Sequence, residues 1–511
     1  IGLYDPLVAL PAIVFRHDPQ LMMNMILSLH VALFSLGGWF MASALRAPGW
    51  ARLTAAISLC FSGFFFVWGG NWSTIVIPHT FLPWTIGSIL RLLDSSDKRQ
   101  LFLYEVLLGA SVLGLFMTGL LFAAYFGALA ILSLVAYILV KDPQVLKTLV
   151  WRLLPQCLLF SAVVIPFLIG QRELYEYLGS RENEPFHWIL FAVPLQAYLG
   201  LLLPNTYSIW QGPFYPNGIP ISNILMMCGI VPAWYLLLVS IRSPLLFAQR
   251  TAIPLLVGLG VMVVFLSPNA FDLEEFFSKI PILSAFRWPF RGIPAFHTLF
   301  VFLFLVIACE SRTFFKLNRE TLVPVLCALT CVISLALELN LASVRSPVKS
   351  WYRAAPMLDD PETWTKPTLD ALKTSGYVIN VCRSEAFFHA KPRIFLYGNL
   401  GSEYGISTVH LYSAPRPRQY APLGMSIKGC ITNLEGVRRM VEKGPQRPLD
   451  RPAKWERPLG PKDFDEIVAK TYVGAAIVEN GYTAPLEYFL NSDKWQVLEK
   501  RNIATAFVRK R

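Results

Sequence analysis

Residues 101–140 read LFLYEVLLGASVLGLFMTGLLFAAYFGALAILSLVAYILV, a run whose one charged side chain is Glu105. As a single helix it would be about 60 Å long, twice the hydrocarbon core of a bilayer. It therefore has to fold back on itself, and Thr118-Gly119 is the expected turning point. Two such helices in tandem are hard to place inside a soluble domain. With 54% hydrophobic and 15% charged residues over 511 positions, the whole chain reads as a polytopic α-helical membrane protein.

Ten apolar runs are long enough to count as spans: about 20–45, 51–70, 74–93, 101–117, 120–140, 149–170, 220–241, 251–267, 292–309 and 321–342. The turns at 46–52, 91–99, 141–152, 242–250 and 312–319 carry Lys and Arg. Those at 70–73 and 118–119 carry none, and the loop 171–219 is acidic. The alternation runs through all ten spans and places the basic turns in the cytoplasm. Residues 1–19, 171–219 and 268–291 are then outer loops of a transmembrane domain 1–342, and 343–511 lies outside as well. An outside start needs an earlier span. The chain opens on Ile1 with no signal-peptide pattern, so a preceding segment is expected.

Residues 1–19 are broken by Pro6, Pro11 and Pro19 and read as a loop with short interfacial helices. The piece 187–203, interrupted by Pro194, reads as a re-entrant or interfacial element. It is followed by NTYSIWQGPFYPNG at 205–218, dense in aromatic residues suited to the membrane interface or to stacking on sugar rings.

From 343 the apolar runs shorten to strand length and the charge rises, with 26 Lys/Arg against 17 Asp/Glu. Strands are expected at 376–382, 392–397, 406–412 and 473–479, and helices at 362–374, 434–443 and 463–470. A terminal hairpin turns at Arg501-Asn502. This is a small α/β domain. Its basic balance suits anionic lipid or polymer, or an ordinary solvated surface, and no nucleic-acid-binding motif accompanies it. Cys382 and Cys430 are its two cysteines and would be free to pair outside the cytoplasm.

No phosphate-cradling glycine loop, metal-spaced carboxylate cluster or hydrolase motif occurs, and no metal or cofactor is expected. The polar residues gather in the outer loops. Phe286-Arg287-Trp288-Pro289-Phe290-Arg291 sets two guanidinium groups four residues apart at the entrance of a span. Such a pair fits a phosphate held at the interface, as does Arg16; interfacial arginines that snorkel or pair with Asp272, Glu274 or Glu275 fit equally. Transfer of a sugar from a lipid phosphate would need a carboxylate to take the acceptor's proton, and Asp5 and Asp18 are the candidates in the first outer loop. For Asp18 a helix-capping role is the competing reading. His79, Trp72, Trp288, Tyr207 and Trp210 are the candidate substrate-lining residues.

Several features together resemble YfhO-type membrane proteins of the GT-C glycosyltransferase superfamily: the acidic first outer loop, the span opening His79-Thr80-Phe81-Leu82-Pro83-Trp84, the double run at 101–140 and the Phe286–Arg291 mouth. In the tail, Gly398-Asn399-Leu400-Gly401, the strand from Gly405 to Tyr412 and the terminal hairpin add to the resemblance. It implies inverting transfer from a polyprenyl-phosphate sugar donor to a glycan, lipid or protein acceptor on the outer face of a bacterial inner membrane. It also implies a catalytic acid in the first outer loop soon after the first span, a role that falls either on Asp5, the nearest carboxylate in this sequence, or on the expected preceding segment. Two alternatives remain. One is a carrier or flippase for a lipid-linked substrate, for which no internal repeat is evident. The other is a non-catalytic subunit of a larger membrane complex.

Overall fold

The computed structural model describes residues 6–14, 19–68, 77–117, 121–145, 192–203, 226–273, 289–311, 319–345, 364–381 and 473–510, with short pieces of 147–165 and the single residues Phe276, Phe395 and Ile406. The chain divides into two units. One comprises Ile1–Val164 with Phe186–Tyr352, the other Ile165–Pro185 with Arg353–Arg511.

The described elements of the first unit are helical: α1 (Pro6–Val14), α2 (Pro19–Ala44), α3 (Gly49–Cys60), α4 (Gly63–Trp68), α5 (Leu82–Asp94), α6 (Lys98–Met117), α7 (Leu121–Lys141), α8 (Ile230–Arg242), α9 (Ile253–Leu266), α10 (Ile293–Glu310) and α11 (Arg319–Arg345). Helix α10 is the hub. Pro294 sits in its first turn, where the missing N–H costs nothing, and every residue from Ile293 to Ala308 is buried. A helix that is apolar all round belongs in the centre of a bundle.

Its neighbours are one-sided. Phe102, Leu103 and Val106 on α6, Leu132 on α7, Val257 and Val261 on α9, and Val325, Leu329 and Val332 on α11 are exposed. Large side chains spread over so many helices make an apolar mantle, the surface a bilayer would solvate. Among the described residues, two helical stretches, Asn24–Ala44 and Pro289–Glu310, are by themselves long and apolar enough to cross a membrane.

The helix ends sort by charge. At one end Arg46, just past α2, hydrogen-bonds to Asp94 at the end of α5, with Nη2–Oδ1 2.7 Å. Arg91 donates to the Ser43 carbonyl at 2.9 Å, and Arg152 to the Ser95 carbonyl at 3.3 Å. Thr251, before α9, bonds Glu310 at the end of α10 (3.0 Å), and Cys309 contacts the Leu45 carbonyl (3.9 Å). The described turns predicted to be cytoplasmic thus meet at one end. At the other end α6 stops at Met117 and α7 restarts at Leu121 on either side of the anticipated fold-back, with Gly127 placed against Leu115.

Three spans differ from the sequence reading. The run 51–70 is broken at Phe61-Ser62 into α3 and α4. The run 74–93 begins with a 3-10 turn, Ile77–Phe81, before α5. In the run 220–241, of which Met226 onward is described, α8 starts at Ile230, after Gly229 takes φ +67°. In each case the apolar stretch was read as one helix, but local backbone geometry interrupts it. The piece 187–203 contains a 3-10 turn, Leu195–Leu201; Val193 N–H bonds the Leu266 carbonyl at 2.7 Å, and the Tyr198 and Ser267 hydroxyls lie 3.2 Å apart.

In the second unit α12 (Lys366–Thr374) and α13 (Thr483–Asn491) accompany a four-stranded sheet ordered β1-β2-β4-β3. Strand β1 (Tyr377–Val381) runs parallel to β2 (Val473–Glu479), while β3 (Trp495–Lys500) and β4 (Ala504–Arg509) form the expected hairpin. Period-2 alternation divides the strand residues between two apolar clusters. Ile379, Ala476, Val478 and Phe507 pack with Phe489 of α13, and Val378, Ala475, Ile477 and Ala506 with Leu372 of α12. Helix α13 was not anticipated. The expected helices at 434–443 and 463–470, most of the strands at 392–397 and 406–412, and Cys382 and Cys430 lie outside the described residues.

Candidate functional site

At the end of the first unit away from the basic turns, two short 3-10 turns meet. One is Ile77–Phe81 and the other Pro289–Gly292. Both are built by proline. Pro78 and Pro83 bracket the first, whose Thr80 hydroxyl bonds the Ile77 carbonyl at 2.7 Å; Pro289 and Pro294 bracket the second. A ring N–H of His79 donates to the Arg291 backbone carbonyl. His79 Nδ1 makes no hydrogen bond, so the donor is Nε2. His79 is 1% exposed and Arg291 7%.

Small residues let the turns seat this closely. A Cβ on Gly292 would fall 2.5 Å from the ring of Phe126 on α7, and one on Gly114 of α6 would fall 2.7 Å from the ring of Phe81. Phe290 packs on Phe64 of α4, ring centroids 6.1 Å apart, and Phe65 stacks on Phe34 of α2 at 4.8 Å. Arg291 thus lies between two residues, Phe290 and Gly292, that pack against aromatic rings. Its charge is screened less than a surface arginine's, so an anion beside it is held more strongly.

A second polar cluster lies further along α10. His297 Nε2 is 3.0 Å from the Met226 carbonyl and Nδ1 is 2.9 Å from Ser62 Oγ. Only an N–H can face a carbonyl, so Nε2 carries the proton and Nδ1 accepts from the serine. The Gly63 N–H bonds the Met227 carbonyl at 2.8 Å. Cys228 Sγ contacts the Ser58 carbonyl at 3.8 Å, and Ser58 Oγ lies 3.6 Å from Cys327 Sγ.

Of the residues singled out in the sequence, His79 and Arg291 are described, and they touch. Asp5, Asp18, Arg16, Trp72, Tyr207, Trp210, Arg287 and Trp288 lie outside the described residues. His79 meets the phosphate-binding candidate through its backbone. Phe126, Gly114, Gly292 and Ser62 were not picked out from the sequence. The glycines sit in apolar runs with nothing to mark a close approach, and the His297–Ser62 link spans more than 230 positions. Among the described residues no group of three or more His, Cys, Asp or Glu is placed to hold a metal ion.

No known family model matches the sequence, and no curated protein matches it. Among solved structures, the crystal structure of ArnT from Cupriavidus metallidurans bound to undecaprenyl phosphate is similar at 14% identity and a TM-score of 0.43. The match covers 98% of this chain and 86% of that one. The likeness is distant.

Proposed function

We propose that the chain is a multi-pass membrane glycosyltransferase of GT-C type. In this reading it takes a sugar from a polyprenyl-phosphate-linked donor and passes it to an acceptor on the outer face of a bacterial inner membrane. The observation that carries it is the position of Arg291: a buried arginine in a turn seated on aromatic rings, at the end of the helical unit opposite the Lys/Arg-rich turns. By the positive-inside rule that end faces outward. A lipid-linked donor brings its phosphate to such a place while its tail stays among the exposed apolar faces of α6, α9 and α11.

The leaving lipid phosphate is a weak base that needs its charge stabilised more than it needs a proton. Arg291, with Arg287 and Arg16, would supply that charge. Asp5 or Asp18 would take the proton from the acceptor hydroxyl, and Trp72, Trp288, Tyr207, Trp210 and His79 would surround the sugar. The domain 343–511 would lie outside the cytoplasm. The test is sugar transfer from a prenyl-phosphate sugar by the full chain in nanodiscs. Arg287→Ala/Arg291→Ala should abolish transfer in a folded protein, and wild-type rates in that variant would reject the assignment.

One observation favours a second reading, a carrier for a lipid-linked substrate. The break at Phe61-Ser62 docks on the segment Met226–Gly229 that leads into α8, and interrupted spans are a recurring feature of transporters. Movement of an unaltered lipid-linked substrate across vesicles, with no covalent product, would decide for it.

A further inference from the structure

We propose that His297 is a positioning residue for Arg291, setting the phosphate-holding turn from inside the bundle; the inference rests on the reading that Arg291 binds a lipid phosphate. His297 lies six residues beyond Arg291 on α10, is 0% exposed, and has both ring nitrogens hydrogen-bonded. Its two partners lie at the break between α3 and α4 and just before α8. Ser62 is the second of the two residues between α3 and α4, and Met226 lies in a 3-10 turn just before the non-helical Met227–Gly229 that leads into α8.

Non-helical backbone in an apolar interior must find its hydrogen bonds within the protein. Here it finds them in this cluster. The Met226 carbonyl takes the His297 N–H, the Met227 carbonyl takes the Gly63 N–H, and the Ser62 hydroxyl is given to His297 Nδ1. Removing the imidazole leaves a buried hydroxyl and a buried carbonyl without those bonds, at the point where α4 begins. Helix α4 then carries the displacement outward. Phe64, its second residue, packs on Phe290, the neighbour of Arg291, and the fully buried rings leave no slack to absorb a shift. The route is therefore His297 to Ser62, through the start of α4 to Phe64, and from Phe290 to Arg291. Nothing in it requires His297 to touch the substrate.

The experiment titrates farnesyl phosphate, with farnesol as the control lacking the phosphate, into the full chain in nanodiscs. His297→Phe keeps a flat ring and removes both hydrogen bonds; Ser62→Ala removes one and is mild enough to fold. Each should weaken binding of farnesyl phosphate by roughly 2- to 30-fold and leave farnesol binding unchanged. The double variant should lose no more than His297→Phe alone, because both act through one link. His297→Asn, which can still accept from Ser62, should recover part of the loss. Leu305→Ala, a buried truncation further along α10, separates positioning from general loosening: at a matched drop in thermal midpoint it should leave the affinity unchanged.

Wild-type affinity in His297→Phe or Ser62→Ala, or an equal loss in Leu305→Ala, overturns the positioning role while the lipid-phosphate reading stands. If the wild type does not prefer farnesyl phosphate to farnesol, or if Arg291→Ala binds as tightly as wild type, the reading itself fails and the inference falls with it.

Discussion

Gly292→Ala is the sharpest test of how the two turns are seated. Gly292 has φ −81° and ψ −7°, a conformation alanine adopts without strain. On backbone grounds alone the substitution should stabilise by about 0.4–1 kcal/mol, because it narrows the unfolded ensemble. Packing opposes it. The added methyl would lie 2.5 Å from three carbons of the Phe126 ring, where carbon atoms prefer about 3.5–4.0 Å, and Phe126 is 0% exposed. A fully buried ring that must retreat by about an ångström places the change among overpacking substitutions, which cost about 1–3 kcal/mol. The two effects leave a net loss of roughly 0.5–2 kcal/mol. Thermal unfolding of the full chain in nanodiscs measures it, and Phe126→Leu provides the internal check. If the clash is the cause, the double variant Gly292→Ala/Phe126→Leu should be more stable than the two single losses added together. A Gly292→Ala protein as stable as wild type, or strict additivity with Phe126→Leu, would refute the packing drawn around Arg291.

Two further outcomes follow from other parts of the molecule. Gly229 holds φ +67°, and a Cβ there would clash with Ser58 Oγ, so Gly229→Ala should destabilise by about 1–2 kcal/mol or more from backbone strain; adding Ser58→Ala should return only the steric part, as read by the same unfolding assay. In the second unit, partial desolvation raises the Glu499 carboxyl's pKa, but hydrogen bonds from Thr368 and Thr365 and the charge of Arg501 outweigh it and hold the group below its usual value. Glu499 is thus more acidic folded than unfolded, so its stabilising contribution is complete above the ordinary carboxylate range and is lost as pH falls through its depressed folded pKa. The Trp495 environment, followed by fluorescence in denaturant, should show that acid-dependent loss, and Glu499→Gln should weaken it; an unchanged pH dependence in Glu499→Gln would contradict the assignment.

Much of the helical unit is legible because its signals are long and repeated. Runs of about twenty apolar residues and basic turns at every second connection give the order and direction of the helices, and the structure brings Arg46, Arg91 and Arg152 to one end. The interruptions are less legible. Phe61-Ser62-Gly63 sits among Leu, Cys and Phe, and its break is stabilised by Met227 and His297, residues far away in sequence. Gly229 with Pro232 did carry a start signal for α8, hidden inside an otherwise apolar run. The terminal hairpin follows from a local turn, whereas the parallel pairing of β1 with β2 joins segments more than ninety residues apart and has no local signature. At the mouth, arginine among aromatics was a readable pattern. The seating of that turn depends on glycines and on the His79 ring, which only tertiary structure brings together.

The central claim is that Arg291 lies where a lipid phosphate rests, on the side away from the basic turns. An experimental structure of the full chain in nanodiscs with a bound prenyl phosphate tests this most directly. The phosphate oxygens should lie within about 4 Å of the Arg291 guanidinium, with the tail running down between helices. A head group bound instead near Arg46, Arg91 and Arg152, or one that leaves the Arg291 turn untouched, would contradict it.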